Sequence, residues 1–142
     1  MSTTVLTPTT PPRFGLWAGR LMSGAVGLVV LCDGAGKLTG LELVRAAMAR
    51  LGYPATLDLP LGLLELFVLV LYLFPRTAVL GVVLMTGLLG GAIATHLRVG
   101  DPMLGHAALG VYLGVLAWAG LYLRDPRLQA AFAWRRSSSE PC

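Results

Sequence analysis

Apolar residues run along this chain in blocks rather than in alternation. Residues 77–95 and 102–123 contain no Asp, Glu, Lys or Arg. As helices rising ~1.5 Å per residue, both blocks reach across ~30 Å of hydrocarbon. A third block, residues 59–74, is interrupted only by Glu65. A fourth, residues 14–33, carries Arg20 near its start, where a long side chain can snorkel to the headgroups. Four membrane spans are therefore expected. Between the first two, Leu41, Val44, Met48 and Leu51 recur at helical intervals within residues 40–51. Thr39 and Glu42 have the spacing of a capping box, and Gly52 with Pro54 supplies a stop. This segment is too short and too charged to cross, and reads as an amphipathic helix lying on the outer surface or capping the bundle. Asp125-Pro126 predicts an N-cap and first-turn proline for another short helix reaching about Trp134.

The expected fold class is all-α: an integral membrane four-helix bundle with a short amphipathic helix between the first and second spans. The expected domain covers residues 13–128. The Thr- and Pro-rich residues 1–12 read as a disordered tail without the pattern of a signal peptide, and residues 129–142 as a cytoplasmic tail. Composition agrees. The chain is 56% hydrophobic and 13% charged, with mean hydropathy +0.74, whereas a soluble domain is about a quarter charged.

The net charge of +4 does not form a nucleic-acid patch, because the basic residues stand at span ends. Arg13, Arg20, Arg76, Arg124, Arg127, Arg135 and Arg136 fall on one side, and Lys37, Arg45, Arg50 and Arg98 on the other. The excess places both termini in the cytoplasm. Trp17, Tyr72, Tyr122 and Trp134 lie near that boundary, as an aromatic belt would. The two cysteines, Cys32 and Cys142, form no C-x-x-C pair, so thiol–disulfide chemistry lacks its active pair.

Small residues recur every four positions at Gly15, Gly19, Ser23 and Gly27, and again at Gly87 and Gly91 and at Gly110 and Gly114. Such spacing lets helices approach closely. Packing inside the bundle is the favoured reading for the first helix; a dimerisation face is the alternative.

Polar residues inside the spans carry the candidate chemistry. Asp33 lies thirteen residues beyond Arg20, ~20 Å above the inner boundary. Glu65 lies six residues below Leu59, ~9 Å below the outer one, so the two carboxylates share a level. Lys37 is one turn above Asp33 on the same face. His96 and Arg98 end the third span on that side, and His106 opens the fourth. A charge in hydrocarbon costs at least ~2.5–3.5 kcal/mol on insertion scales, so these groups should pair inside the bundle. A Lys37–Glu65 or Lys37–Asp33 pair is expected, with Arg98 a further partner. The candidate ligand site is thus Asp33, Lys37, Glu65, His96, Arg98 and His106. It reads either as a pocket for a polar-headed ligand such as a quinone, or a proton path, or as a structural salt bridge. His96 and His106 lack a third and fourth ligand in recognisable spacing, so no metal or haem site is expected, and interfacial hydrogen bonding is the better reading for both.

Taken in order, several short pieces resemble one family. They are Gly36-Lys-Leu38, Leu51-Gly-Tyr-Pro54, Leu61-Gly-Leu-Leu-Glu-Leu66, Pro75-Arg-Thr-Ala78, the run from Gly87 to Arg98, and Leu123-Arg-Asp-Pro-Arg127. In these pieces, over residues 17–128, the chain resembles the DoxX-like family of small bacterial membrane proteins. The resemblance implies a four-helix bundle in the bacterial inner membrane and puts Lys37, Glu65, His96 and Arg98 on its recurrent polar positions. It also implies association with a membrane redox system, as a quinone-binding subunit or one that docks an oxidoreductase. A small transporter or permeability factor, oligomeric through its glycine faces, is the alternative, and a non-catalytic assembly partner a third. No oxidase ligand set is found, so the chain is not expected to reduce oxygen alone.

Overall fold

A computed structural model describes residues 13–102, 105 and 107–137. His106 and the segments 1–12 and 138–142 lie outside the described residues. The described chain is helical. Helix α1 is Arg13–Thr39, α2 Glu42–Arg50, α3 Asp58–Leu73, α4 Ala78–Arg98, α5 Ala108–Arg124 and α6 Pro126–Ser137; a 3-10 turn, Ala55–Leu57, precedes α3. The expected all-α membrane bundle is what forms. Its α1, α4 and the continuous helical stretch Ala55–Leu73, which joins the 3-10 turn to α3 over 19 residues, are long and apolar enough to cross a membrane, and α5 is a shorter apolar helix of 17 residues.

The four long helices run up, down, up and down, and close a ring in which α1 touches α3 and α5, and α4 touches α3 and α5. Val26, Val68, Leu69, Tyr72, Val82, Met85, Leu113, Ala117 and Leu121 fill its centre. Leucines, valines and aromatics on the outer faces stay exposed, as lipid-facing side chains do when the surroundings are as apolar as the core.

Helix α1 outlasts its expected span by six residues, because nothing at Asp33 breaks it: Asp33 and Lys37 both sit on its continuing face. The predicted capping box does not form. Thr39 belongs to the last turn of α1, and its hydroxyl donates back to the Ala35 carbonyl at 2.9 Å. Leu41 takes the N-cap position of α2 with no side-chain bond. The predicted cap at Asp125 does form, its carboxylate accepting from the Arg127 backbone N–H at 2.9 Å. Asp125→Ala should cost about 1 kcal/mol, read as faster amide exchange confined to α6.

The glycine stripes divide. Along α1, a methyl group on Gly19 would lie 2.9 Å from the Gly120 carbonyl oxygen, and one on Gly27 would lie 3.5 Å from Leu69. Ser23 sits against Gly120, so the intramolecular reading holds for these three, while Gly15 meets nothing within 4 Å among the described residues. In α4, Gly81 meets the backbone of Tyr72, but Gly87, Gly90 and Gly91 meet nothing within 4 Å. The expected Gly87/Gly91 contact is therefore not made among the described residues.

Tyr72 departs from the expected belt. Trp17 and Tyr122 are exposed, but Tyr72 is fully buried. Its hydroxyl donates to the Ala117 carbonyl at 3.0 Å and shares a hydrogen bond with the Ser23 hydroxyl at 2.9 Å, tying α3 to α1 and α5. A helix-end position says little about which face a residue occupies; the inward face here supplies two hydrogen-bond partners, and a phenol prefers them to lipid. The Trp134 side chain lies outside the described ones.

Candidate functional site

Two polar clusters emerge where one was expected. The first joins α1 to α3. Lys37 Nζ lies 2.6 Å from Asp33 Oδ2 and 2.9 and 3.0 Å from the two Glu65 oxygens. Both predicted pairs thus form at once. The helix spacing explains why: Asp33 is one turn before Lys37, and the backbone of α3 comes close because Gly34 and Gly62 face each other. A methyl group on Gly62 would lie 3.0 Å from the Gly34 carbonyl oxygen and 3.1 Å from the Lys37 Cβ. The side chain of Lys37 is 6% exposed and that of Glu65 17%, whereas Asp33 stands 54% exposed on the outer face of α1. An ammonium has three donors. Three acceptors within 3.0 Å engage all of them, so Lys37 is built to be held rather than to reach a ligand.

The second cluster sits at the far end of α4, and the turns create it. At Gly100, φ is +79°, a conformation that side chains resist. The Gly100 N–H bonds to the Leu97 carbonyl and the Asp101 N–H to the His96 carbonyl, both at 3.1 Å, a Schellman closure. The reversal returns Asp101 over the helix end, where its Oδ2 lies 2.7 Å from His96 Nδ1. Gly52, at φ +81°, closes α2 in the same way and turns Tyr53 inward. Arg50 then donates to Asp101 Oδ1, and Tyr53 and Thr95 share a hydrogen bond at 2.9 Å. Arg98, expected with the carboxylates of the bundle, instead donates to the Leu51 carbonyl at 2.6 Å. The end of α2 is thus strapped across the end of α4. Asp101 is buried, and its two oxygens draw Arg50 and His96 together.

Of the expected site residues, the fold unites Asp33, Lys37 and Glu65. It puts His96 in the second cluster and Arg98 on the strap; His106 is outside the described residues. Sequence reasoning missed Asp101, Arg50 and Tyr53. An Asp between Gly100 and Pro102 reads as an ordinary turn residue; its distance of five residues from His96 across a glycine was the available signal.

A groove of about 540 Å³ runs between α4 and α5. Thr86, Leu89, Gly90 and Ile93 line one wall and Gly110, Gly114 and Trp118 the other. The Trp118 indole N–H donates to Thr86 Oγ1 at 3.0 Å, which leaves the lining apolar. Leu89, Ile93 and His96 follow one face of α4 at four- and three-residue steps, and Gly110 lies directly against Ile93. His96 therefore stands one turn beyond the groove on the face that lines it. No member of the Asp33–Lys37–Glu65 cluster lines this groove.

A family model described as the DoxX-like family matches residues 21–120. No curated protein and no solved structure matches the chain significantly.

Proposed function

From a chain that belongs to the DoxX-like family, with 100 residues matched from 21 to 120, we propose a quinone-binding subunit of a membrane redox system. Its isoprenoid tail lies in the α4–α5 groove and its head meets the His96–Asp101–Arg50 cluster. The carrying observation is the continuity of one α4 face from apolar Leu89 and Ile93 to polar His96. That order of chemistry, an apolar slot ending in paired hydrogen-bonding groups, suits a molecule with a methyl-branched tail and a carbonyl head. Asp101 fixes the orientation of the imidazole, and Arg50 balances the carboxylate. In this reading His96 is the residue that meets the head, and the Asp33–Lys37–Glu65 cluster is a charge lock between α1 and α3. Helix α5 is the fourth span, both termini are cytoplasmic by the arginine bias, and the membrane is the bacterial inner one. Docking to an oxidoreductase would supply the electrons. A second reading, association of copies through Gly87 and Gly91, is favoured by the open space over both residues, and is the form a transport role would need.

The test is quinone titration of protein in quinone-free nanodiscs. Gly90→Leu fills the groove from a position that meets nothing within 4 Å. It should weaken binding at least about tenfold, ~1.4 kcal/mol, with an unchanged melting temperature. Normal binding by this variant, together with normal binding by His96→Ala, would remove the groove and the head site from consideration.

A further inference from the structure

We propose that the arginine-bearing end of the bundle binds the phosphate headgroups of anionic phospholipids. The packing brings four arginines from separate elements to one level. A methyl group on Gly19 would lie 3.0 Å from the Arg124 backbone nitrogen, so Arg20 stands beside the end of α5. The Arg124 guanidinium donates to the Tyr72 carbonyl, with its carbon 4.7 Å from the centre of the Tyr72 ring. Arg76 follows one turn later in the link from α3 to α4, and Arg127 lies in the first turn of α6. Arg20, Arg76 and Arg127 are exposed.

Arg124 is the fixed member. Its contacts with Tyr72 hold the charge in place, while the other three reach outward. The described acidic residue at this end is Asp125, and its carboxylate caps α6 through the Arg127 N–H. Among the described residues, Asp125 is thus the single carboxylate set against four arginines at this end. Exposed Trp17, one turn before Arg20, and Tyr122 stand at the same level, where aromatic rings sit among headgroups. Guanidinium groups bind phosphate oxygens through paired N–H donors. The shared chemistry is a phosphate anion, and the membrane-facing aromatics commit the site to a lipid-borne one.

The experiment is native mass spectrometry of the full chain in detergent with equal phosphatidylglycerol and phosphatidylcholine, repeated with inorganic phosphate as competitor. Phosphatidylglycerol should be retained preferentially. Each of Arg20→Gln, Arg76→Gln and Arg127→Gln should weaken it roughly fivefold, as expected per basic side chain near an anionic surface. Arg98→Gln, at the opposite end, should leave it unchanged, and Arg76→Lys should restore part of the effect. Equal retention of both lipids, or full preference in the triple Gln variant, overturns the proposal. Displacement by millimolar inorganic phosphate overturns it in favour of a free-phosphate site.

Discussion

Lys37→Ala is expected to destabilise the protein by about 3–5 kcal/mol, the cost of removing one member of a buried ion pair. The ammonium serves two carboxylates, Asp33 at 2.6 Å and Glu65 at 2.9 Å. Without it, Glu65 keeps its place in the middle of an apolar helix with no cation in contact, and Asp33 faces it across the same gap. Glu65→Gln should be milder, about 1–3 kcal/mol, because the amide oxygen still accepts from Lys37 and Asp33 still supplies the countercharge. The informative variant removes all the charge: Asp33→Asn, Lys37→Met and Glu65→Leu together. Apolar replacement of buried ionic groups is often neutral or stabilising. Denaturation in mixed micelles should therefore rank the triple variant close to wild type and far above Lys37→Ala. Quinone binding by the triple variant, measured alongside, should be retained if the cluster is a lock between α1 and α3. Loss of binding with wild-type stability would return these residues to the ligand site.

How far the sequence disclosed this arrangement depends on what each feature requires. The level shared by Asp33 and Glu65 follows from a fixed rise per residue, and Lys37 follows from one helical turn, so the first cluster was legible in outline. That Lys37 would serve both carboxylates was not, because it depends on how closely α3 approaches at Gly34 and Gly62. The second cluster was hidden more deeply. His96, Asp101 and Arg50 meet only after two glycines turn the chain at positive φ and α2 is strapped over α4. No periodicity carries that information. The glycines show the same limit. Gly19 and Gly87 each belong to a four-residue stripe, yet one lies under α5 and the other faces outward. A stripe marks a face, and only the closed ring of helices decides what lies opposite. Tyr72 makes the point for aromatics: its place near a helix end predicted an interfacial ring, and its inward face made it a buried link among three helices.

Within α4, two glycine substitutions should have opposite outcomes. Gly81→Ala should cost about 3 kcal/mol or more, at or beyond the upper end usual for overpacking. The added methyl carbon would fall well inside van der Waals contact with the Tyr72 nitrogen and its Cα. These are backbone atoms and cannot rotate away. Relief requires the tight pair of α3 and α4 to separate, and separation pulls on Tyr72, whose hydroxyl holds Ser23 and Ala117 and whose carbonyl accepts from Arg124. The damage should therefore spread to α1 and α5. Gly87→Ala, six residues on, meets nothing within 4 Å and removes a residue that costs a helix up to about 1 kcal/mol. In an isolated chain it should be neutral or slightly stabilising. Thermal unfolding of the two variants in the same detergent measures the contrast. A melting temperature for Gly81→Ala equal to wild type would refute the close α3–α4 approach. A marked loss for Gly87→Ala, appearing only at protein concentrations where copies associate, would show that its open face is covered by a second copy.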